Sequence, residues 1–122
     1  MDGPYVLVVD DDALVRETIA QVLALEEIAA ELAPDVPNAL ELARRRRPAV
    51  VLLDYYLPGM NGDAFCRGFA ADPGREGTRI VVLTAAEQDL ATIRAHCGAD
   101  DLIRKPFGID ELLTAMRRAL GA

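Results

Sequence analysis

The sequence predicts an α/β fold: one parallel sheet, doubly wound, with helices on both of its faces. Three observations carry this. Short apolar runs alternate with segments of helical periodicity five times along the chain, the pattern of a parallel sheet with crossover helices. The runs are almost continuously apolar, as in Tyr5-Val6-Leu7-Val8-Val9, which is how a fully buried strand reads. Four of them end in a residue able to do chemistry, and ligands of such sheets bind outside the carboxyl ends of the strands.

Taken in order, Tyr5–Val9 is the first strand, closed by Asp10-Asp11-Asp12. Asp12 suits the N-cap of a helix from about Ala13 to Leu25, where Val15, Ile19, Val22 and Leu23 recur at helical spacing. Ile28 to Ala33 predicts a short, weaker strand. Asp35 then caps a second helix carrying Ala39, Leu40, Leu42 and Ala43, ended by Arg44-Arg45-Arg46-Arg47 and Pro48. The third strand, Ala49 to Leu53, is closed by Asp54 and followed by the loop Tyr55-Tyr56-Leu57-Pro58-Gly59-Met60-Asn61-Gly62. Asp63 is expected to cap a third helix through Phe65 and Phe69, broken at Asp72-Pro73-Gly74. Ile80 to Leu83 is the fourth strand, ending in Thr84; a fourth helix runs from about Glu87 to His96, with Gly98 as its stop. Leu102-Ile103-Arg104, the fifth strand, ends in Lys105-Pro106, and a fifth helix sets Ile109, Leu112, Leu113, Met116 and Leu120 along one face before Gly121.

At 122 residues the chain is long enough for one domain with a core. It has no repeat, linker or low-complexity segment, so residues 1–122 are expected to form a single domain with no output domain attached. Its 52% apolar and 27% charged residues are those of a soluble globular protein. The net charge of −7 argues against direct nucleic-acid binding through a general positive field. No apolar run approaches the roughly 18 residues needed to span a membrane, and the N-terminus lacks a secretory layout. Cys66 and Cys97 have no metal-like spacing, and suggest reduced thiols in a cytoplasmic protein.

Three consecutive carboxylates at the end of a buried strand repel one another, so a proton or a cation settles among them. Asp12 is accounted for by its cap; Asp10 and Asp11 are not. Aspartate oxygens suit a hard cation such as Mg2+, usually held by one or two carboxylates with waters and phosphate. Asp54, Thr84 and Lys105 end the other strands, so a third acid, a hydroxyl and an ammonium converge on the same edge.

These residues resemble those of the receiver domains of two-component response regulators, over about Tyr5 to Leu120. The resemblance rests on Val8-Val9-Asp10-Asp11, on Asp54 with Leu57-Pro58-Gly59-Met60-Asn61-Gly62, on Thr84-Ala85, on Gly98-Ala99-Asp100-Asp101 and on Lys105-Pro106-Phe107. It implies a flavodoxin-like strand order 2-1-3-4-5 with five helices. It further implies that Asp54 accepts a phosphoryl group from a sensor histidine kinase or a histidine phosphotransfer protein. Asp11 would bind Mg2+ directly, Asp10 largely through water, and Asp54 and the backbone carbonyl of Tyr56 would complete the protein ligands. Lys105 and Thr84 would meet phosphoryl oxygens, and the Lys105-Pro106 bond would be cis. A downstream target, an output domain or a second copy would dock on the face formed by the fourth helix, the fifth strand and the fifth helix.

One position departs from the family. The aromatic residue usual three places before the lysine is Leu102 here, with no ring to bury and no hydroxyl. The resemblance implies no turnover of outside substrates: aspartyl-phosphate phosphatases and mutases carry an acid two residues past the nucleophile, where this chain has Tyr56. The remaining alternative is a receiver-like interaction module that works without phosphorylation. It would predict loss of Asp54, Lys105 or an acid, and all are present.

Overall fold

The structure, a computed structural model, describes residues 4–55, 62–70, 77–84, 91 and 98–121. Five strands, β1 (Tyr5–Val9), β2 (Ala29–Ala33), β3 (Val50–Asp54), β4 (Arg79–Thr84) and β5 (Asp101–Arg104), form one sheet in the order β2-β1-β3-β4-β5. All four pairings are parallel. Among the described residues four helices connect and cover it: α1 (Ala13–Leu25), α2 (Val36–Arg45), α3 (Gly62–Ala70) and the C-terminal α4 (Ile109–Leu120). The predicted Glu87–His96 helix lies outside the described residues, apart from Ala91.

The two-residue period of the strands divides their side chains between two cores. Leu7, Val9, Val51, Leu53, Ile80 and Val82 face α2 and α3, where Ala39, Ala43, Phe65 and Phe69 complete the packing. Val6, Val8, Val50, Leu52, Val81 and Leu83 face α1 and α4, meeting Ile19, Leu23, Leu112 and Met116. Every residue of β1 and β3 is buried, which explains their continuous hydrophobicity. The edge strand β2 instead alternates between exposed and half-buried residues before Ala33, and this is why its sequence signal was the weakest.

Helix ends follow local chemistry. Asp12 caps α1 by accepting from the amides of Leu14 (2.9 Å) and Val15 (3.3 Å). Asp35 caps α2 by accepting from Asn38 (3.0 Å). Asp63 does not occupy the cap expected of it; α3 begins at Gly62 and takes Asp63 into its first turn. Gly98 (φ 71°) and Gly121 (φ 81°) take the left-handed conformation expected where a helix stops. The expectation of reduced thiols fails at Cys66, which is disulfide-bonded and buried in the α2–α3 core. Two isolated cysteines without a motif carry no pairing signal in sequence; Cys97 lies outside the described residues.

The arginine run sits at the opposite end of the sheet from Asp10 and Asp54. Arg44 and Arg45 occupy the last turn of α2, and Arg46 closes it. The Arg46 guanidinium lies 4.1 Å from the centre of the Tyr5 ring, and the Tyr5 hydroxyl donates to the Arg46 carbonyl at 2.6 Å. Burial pushes the Tyr5 phenol above its ordinary value of 10.0, against the opposing pull of Arg46. Its contribution to stability is therefore complete below pH 10.0 and is lost as pH rises through the raised value. Tyr5→Phe should cost about 1 kcal/mol by urea unfolding at neutral pH, with a shallower alkaline loss than the wild type.

Candidate phosphoacceptor and metal site

The sheet order reverses between β1 and β3, so the crevice at their carboxyl ends is where a ligand fits. The register places Asp54 opposite Leu83, one residue before Thr84, and pairs Thr84 with Arg104, so Lys105 follows directly on the adjoining strand. The backbone of Lys105 donates to the Thr84 carbonyl (2.9 Å), and Tyr55 donates to that of Leu83 (3.0 Å). Four short strands thereby deliver Asp10, Asp54, Thr84 and Lys105 to one edge.

Asp10 is fully buried. Its Oδ1 accepts from the Asp12 amide (3.0 Å), its Oδ2 from Lys105 Nζ (3.1 Å) and its carbonyl from Arg16 Nη1 (2.8 Å). Asp54 is 7% exposed and also accepts from Lys105 Nζ, at 3.2 Å. Thr84 is buried. Asp11 is exposed beside them, and carboxylate oxygens of Asp10, Asp11 and Asp54 lie within 4.8 Å of one another. Burial acts most strongly on Lys105 and would lower its pKa, but Asp54 and Asp10 together outweigh it and hold the ammonium above its usual value.

One ammonium faces three carboxylates, two of them buried, so the cluster keeps an excess of negative charge. Its donors are oxygens only, close enough to share one ion, and this fits a hard divalent cation such as Mg2+. Without metal, the Asp11 charge repels acids that Lys105 already pairs. Asp11→Ala should therefore stabilise the metal-free protein by about 0.5 kcal/mol at low salt, read as a higher melting temperature, and weaken the further stabilisation by Mg2+. A clear fall without metal would contradict the repulsion argument.

Asp10, Asp11, Asp54, Thr84 and Lys105 are thus brought together as the sequence predicts. Tyr56, whose carbonyl was expected as a metal ligand, lies outside the described residues. The Lys105–Pro106 bond is cis, as expected. Leu102, at the position usually aromatic, is half-buried and packs against the α2–α3 core. Sequence reasoning missed Arg16, because its partner is a backbone carbonyl that residue types do not reveal.

Residues 6–117 match the sequence model of the response regulator receiver domain. The chain belongs to this family. Among relatives, this receiver is 42% identical over 116 residues to the DNA-binding response regulator MtrA of Mycobacterium tuberculosis H37Rv, covering 94% of this chain and 50% of MtrA. It is 38% identical over 116 residues to the response regulator MprA of Mycobacterium sp. KMS, again covering 94% and 50%. The receiver therefore spans about half the length of the curated relatives it matches. Its structure is similar to that of the chemotaxis protein CheY4 of Vibrio cholerae, with a TM-score of 0.89 at 28% identity, covering 96% and 98% of the two chains. It is also similar to the receiver domain of the sensor histidine kinase PA1611 of Pseudomonas aeruginosa PAO1, with a TM-score of 0.85 at 28% identity and coverage of 98% and 99%. That structure has a magnesium ion coordinated in its active-site cleft. No helix among the described residues of this receiver is long and apolar enough to cross a membrane.

Proposed function

We propose that this receiver accepts a phosphoryl group on Asp54 from the phosphohistidine of a sensor histidine kinase or phosphotransfer protein. The observation carrying this reading is the bridge from Lys105 to both Asp10 and Asp54, with Asp11 alongside. A carboxylate oxygen of Asp54 forms the new bond to phosphorus while the bond from phosphorus to the donor imidazole nitrogen breaks. Such a transfer asks the protein mainly for in-line positioning and neutralisation of charge. Mg2+ held by Asp10, Asp11 and Asp54 supplies part of that neutralisation when bound. Lys105 exchanges its contact with the Asp54 carboxylate for one with a phosphoryl oxygen, and the Thr84 hydroxyl donates to another. The receiver turns over no outside substrate; it holds the group as a signal.

Beside Lys105, an apolar hollow of about 520 Å³ is lined by Leu14, Val15, Ile19, Pro106 and Phe107. Leu14 is 72% exposed there. An apolar helix of a donor protein seated on it would bring its phosphohistidine to the crevice. On the output side, β5 and α4 frame a groove lined by Asp101, Leu102, Asp110, Glu111, Thr114 and Arg118. This groove is the described part of the surface on which a target, an output domain or a second copy would read the phosphorylated state; the Glu87–His96 segment expected beside it lies outside the described residues apart from Ala91. The acidic receiver itself makes no direct contact with nucleic acid and acts in the cytoplasm. The test is intact-mass analysis after treatment with acetyl phosphate and Mg2+. A gain of one phosphoryl mass, absent in EDTA, is expected; no gain in Mg2+ would favour an interaction module that works without phosphate.

A further inference from the structure

The geometry points to Arg16 as a positioning residue for the metal-binding loop, an inference that rests on the phosphoacceptor reading above. Arg16 lies one turn into α1 and is half-buried, and its Nη1 donates to the carbonyl of Asp10 at 2.8 Å. That carbonyl belongs to the peptide unit joining Asp10 to Asp11. Fixing the oxygen fixes the plane from which the Asp11 backbone departs. Asp10 needs little help to hold its own side chain, since both carboxylate oxygens are already bonded, to the Asp12 amide and to Lys105. Asp11 has no such burial: it is exposed and reaches the carboxylate cluster from the loop. The guanidinium thus sets the direction of the one acid in the trio that the core does not hold.

Two roles for Arg16 make opposite predictions. If the residue acted only as a nearby positive charge, removing it would leave the site more negative and Mg2+ would bind more tightly. If it acts by orienting the Asp10–Asp11 peptide, removing it loosens a ligand-bearing loop and Mg2+ binds more weakly. Outer partners of metal ligands commonly contribute a factor of 10 to 100 in affinity; a partner acting through one peptide unit belongs near the lower end.

The experiment is an NMR titration of the metal-free protein with Mg2+ alone, comparing wild type, Arg16→Met and Arg16→Lys, each with its melting temperature. Arg16→Met should bind Mg2+ about tenfold more weakly, with amide shifts at saturation matching those of the wild type. Arg16→Lys, which retains a donor on a long stem, should recover most of the affinity. Equal or tighter binding by Arg16→Met would overturn the positioning role while leaving the phosphoacceptor reading intact. Should Arg16→Met melt too low to titrate, wild-type affinity with altered loop shifts in Arg16→Lys would overturn the role by itself. A wild type that shows no Mg2+-dependent shifts would instead overturn the metal site on which the inference depends.

Discussion

Asp54→Asn should reduce phosphoryl uptake from acetyl phosphate to background while leaving the protein folded. The side chains are nearly isosteric and Asp54 is 7% exposed, so the packing at the end of β3 changes little. The chemistry changes completely. A carboxylate oxygen carries charge and a lone pair for attack on phosphorus, whereas an amide oxygen is a poor nucleophile and its nitrogen has no available pair. Lys105 keeps its contact with Asp10 in the variant, so electrostatic collapse of the crevice does not confuse the result. Intact mass is the readout, with the melting temperature as the control for folding. Labelling at the wild-type level would show that another residue is the acceptor.

Lys105→Met should destabilise the metal-free receiver by about 2 kcal/mol, measured by urea unfolding at neutral pH. Removing one partner of a buried ion pair typically costs about 3–5 kcal/mol, because the other charge is left uncompensated. The lower figure is chosen because the Lys105 side chain is 25% exposed, so solvent screens part of the pairing. The charges left behind are the two buried acids, Asp10 and Asp54, with the exposed Asp11 beside them. Mg2+ supplies the missing positive charge, so the variant should gain more stability from added Mg2+ than the wild type does. Labelling should nonetheless be slow in Mg2+, since in the proposed transfer the ammonium and the metal would serve different phosphoryl oxygens. Equal stability of the two proteins without metal would mean that the acids take up protons or solvent at little cost.

Much of this was legible because the sheet imposes a simple rule: each buried strand ends with its apolar run or one residue beyond it. Val9, Leu53 and Leu83 are the last apolar residues of their strands, and the residues after them form the site. The first helix runs from Ala13 to Leu25 as its periodicity predicts, because Asp12 both ends the loop and caps the helix. Where the signal was weak, exposure explains it: β2 is an edge strand rich in alanine, with only its last residue fully buried. The start of α3 moved by two residues, from the Ala64 that an Asp63 cap implies to Gly62, because a helix N-terminus depends on local geometry that more than one residue can satisfy. Contacts between distant parts of the chain left no trace in any window of sequence. The Arg46 guanidinium over Tyr5 and the disulfide at Cys66 are of this kind; the bond from Arg16 to the Asp10 carbonyl is local but ends on a backbone oxygen, which residue types do not reveal.

The bridge at Lys105 also bears on the order in which the receiver becomes competent. Its ammonium meets Asp54 across 51 positions and Asp10 across 95. Contacts of such separation form only after the intervening chain has closed. A ribosome-bound fragment ending before β5 already carries all three acids, Asp54 among them, yet lacks the cation that lets buried carboxylates coexist. Such a fragment gains little from burying them. The residue given to the second phosphoryl oxygen in the proposed transfer thus ties the closing of the crevice to the arrival of β5, so a receiver chain that stops short of it has no organised crevice.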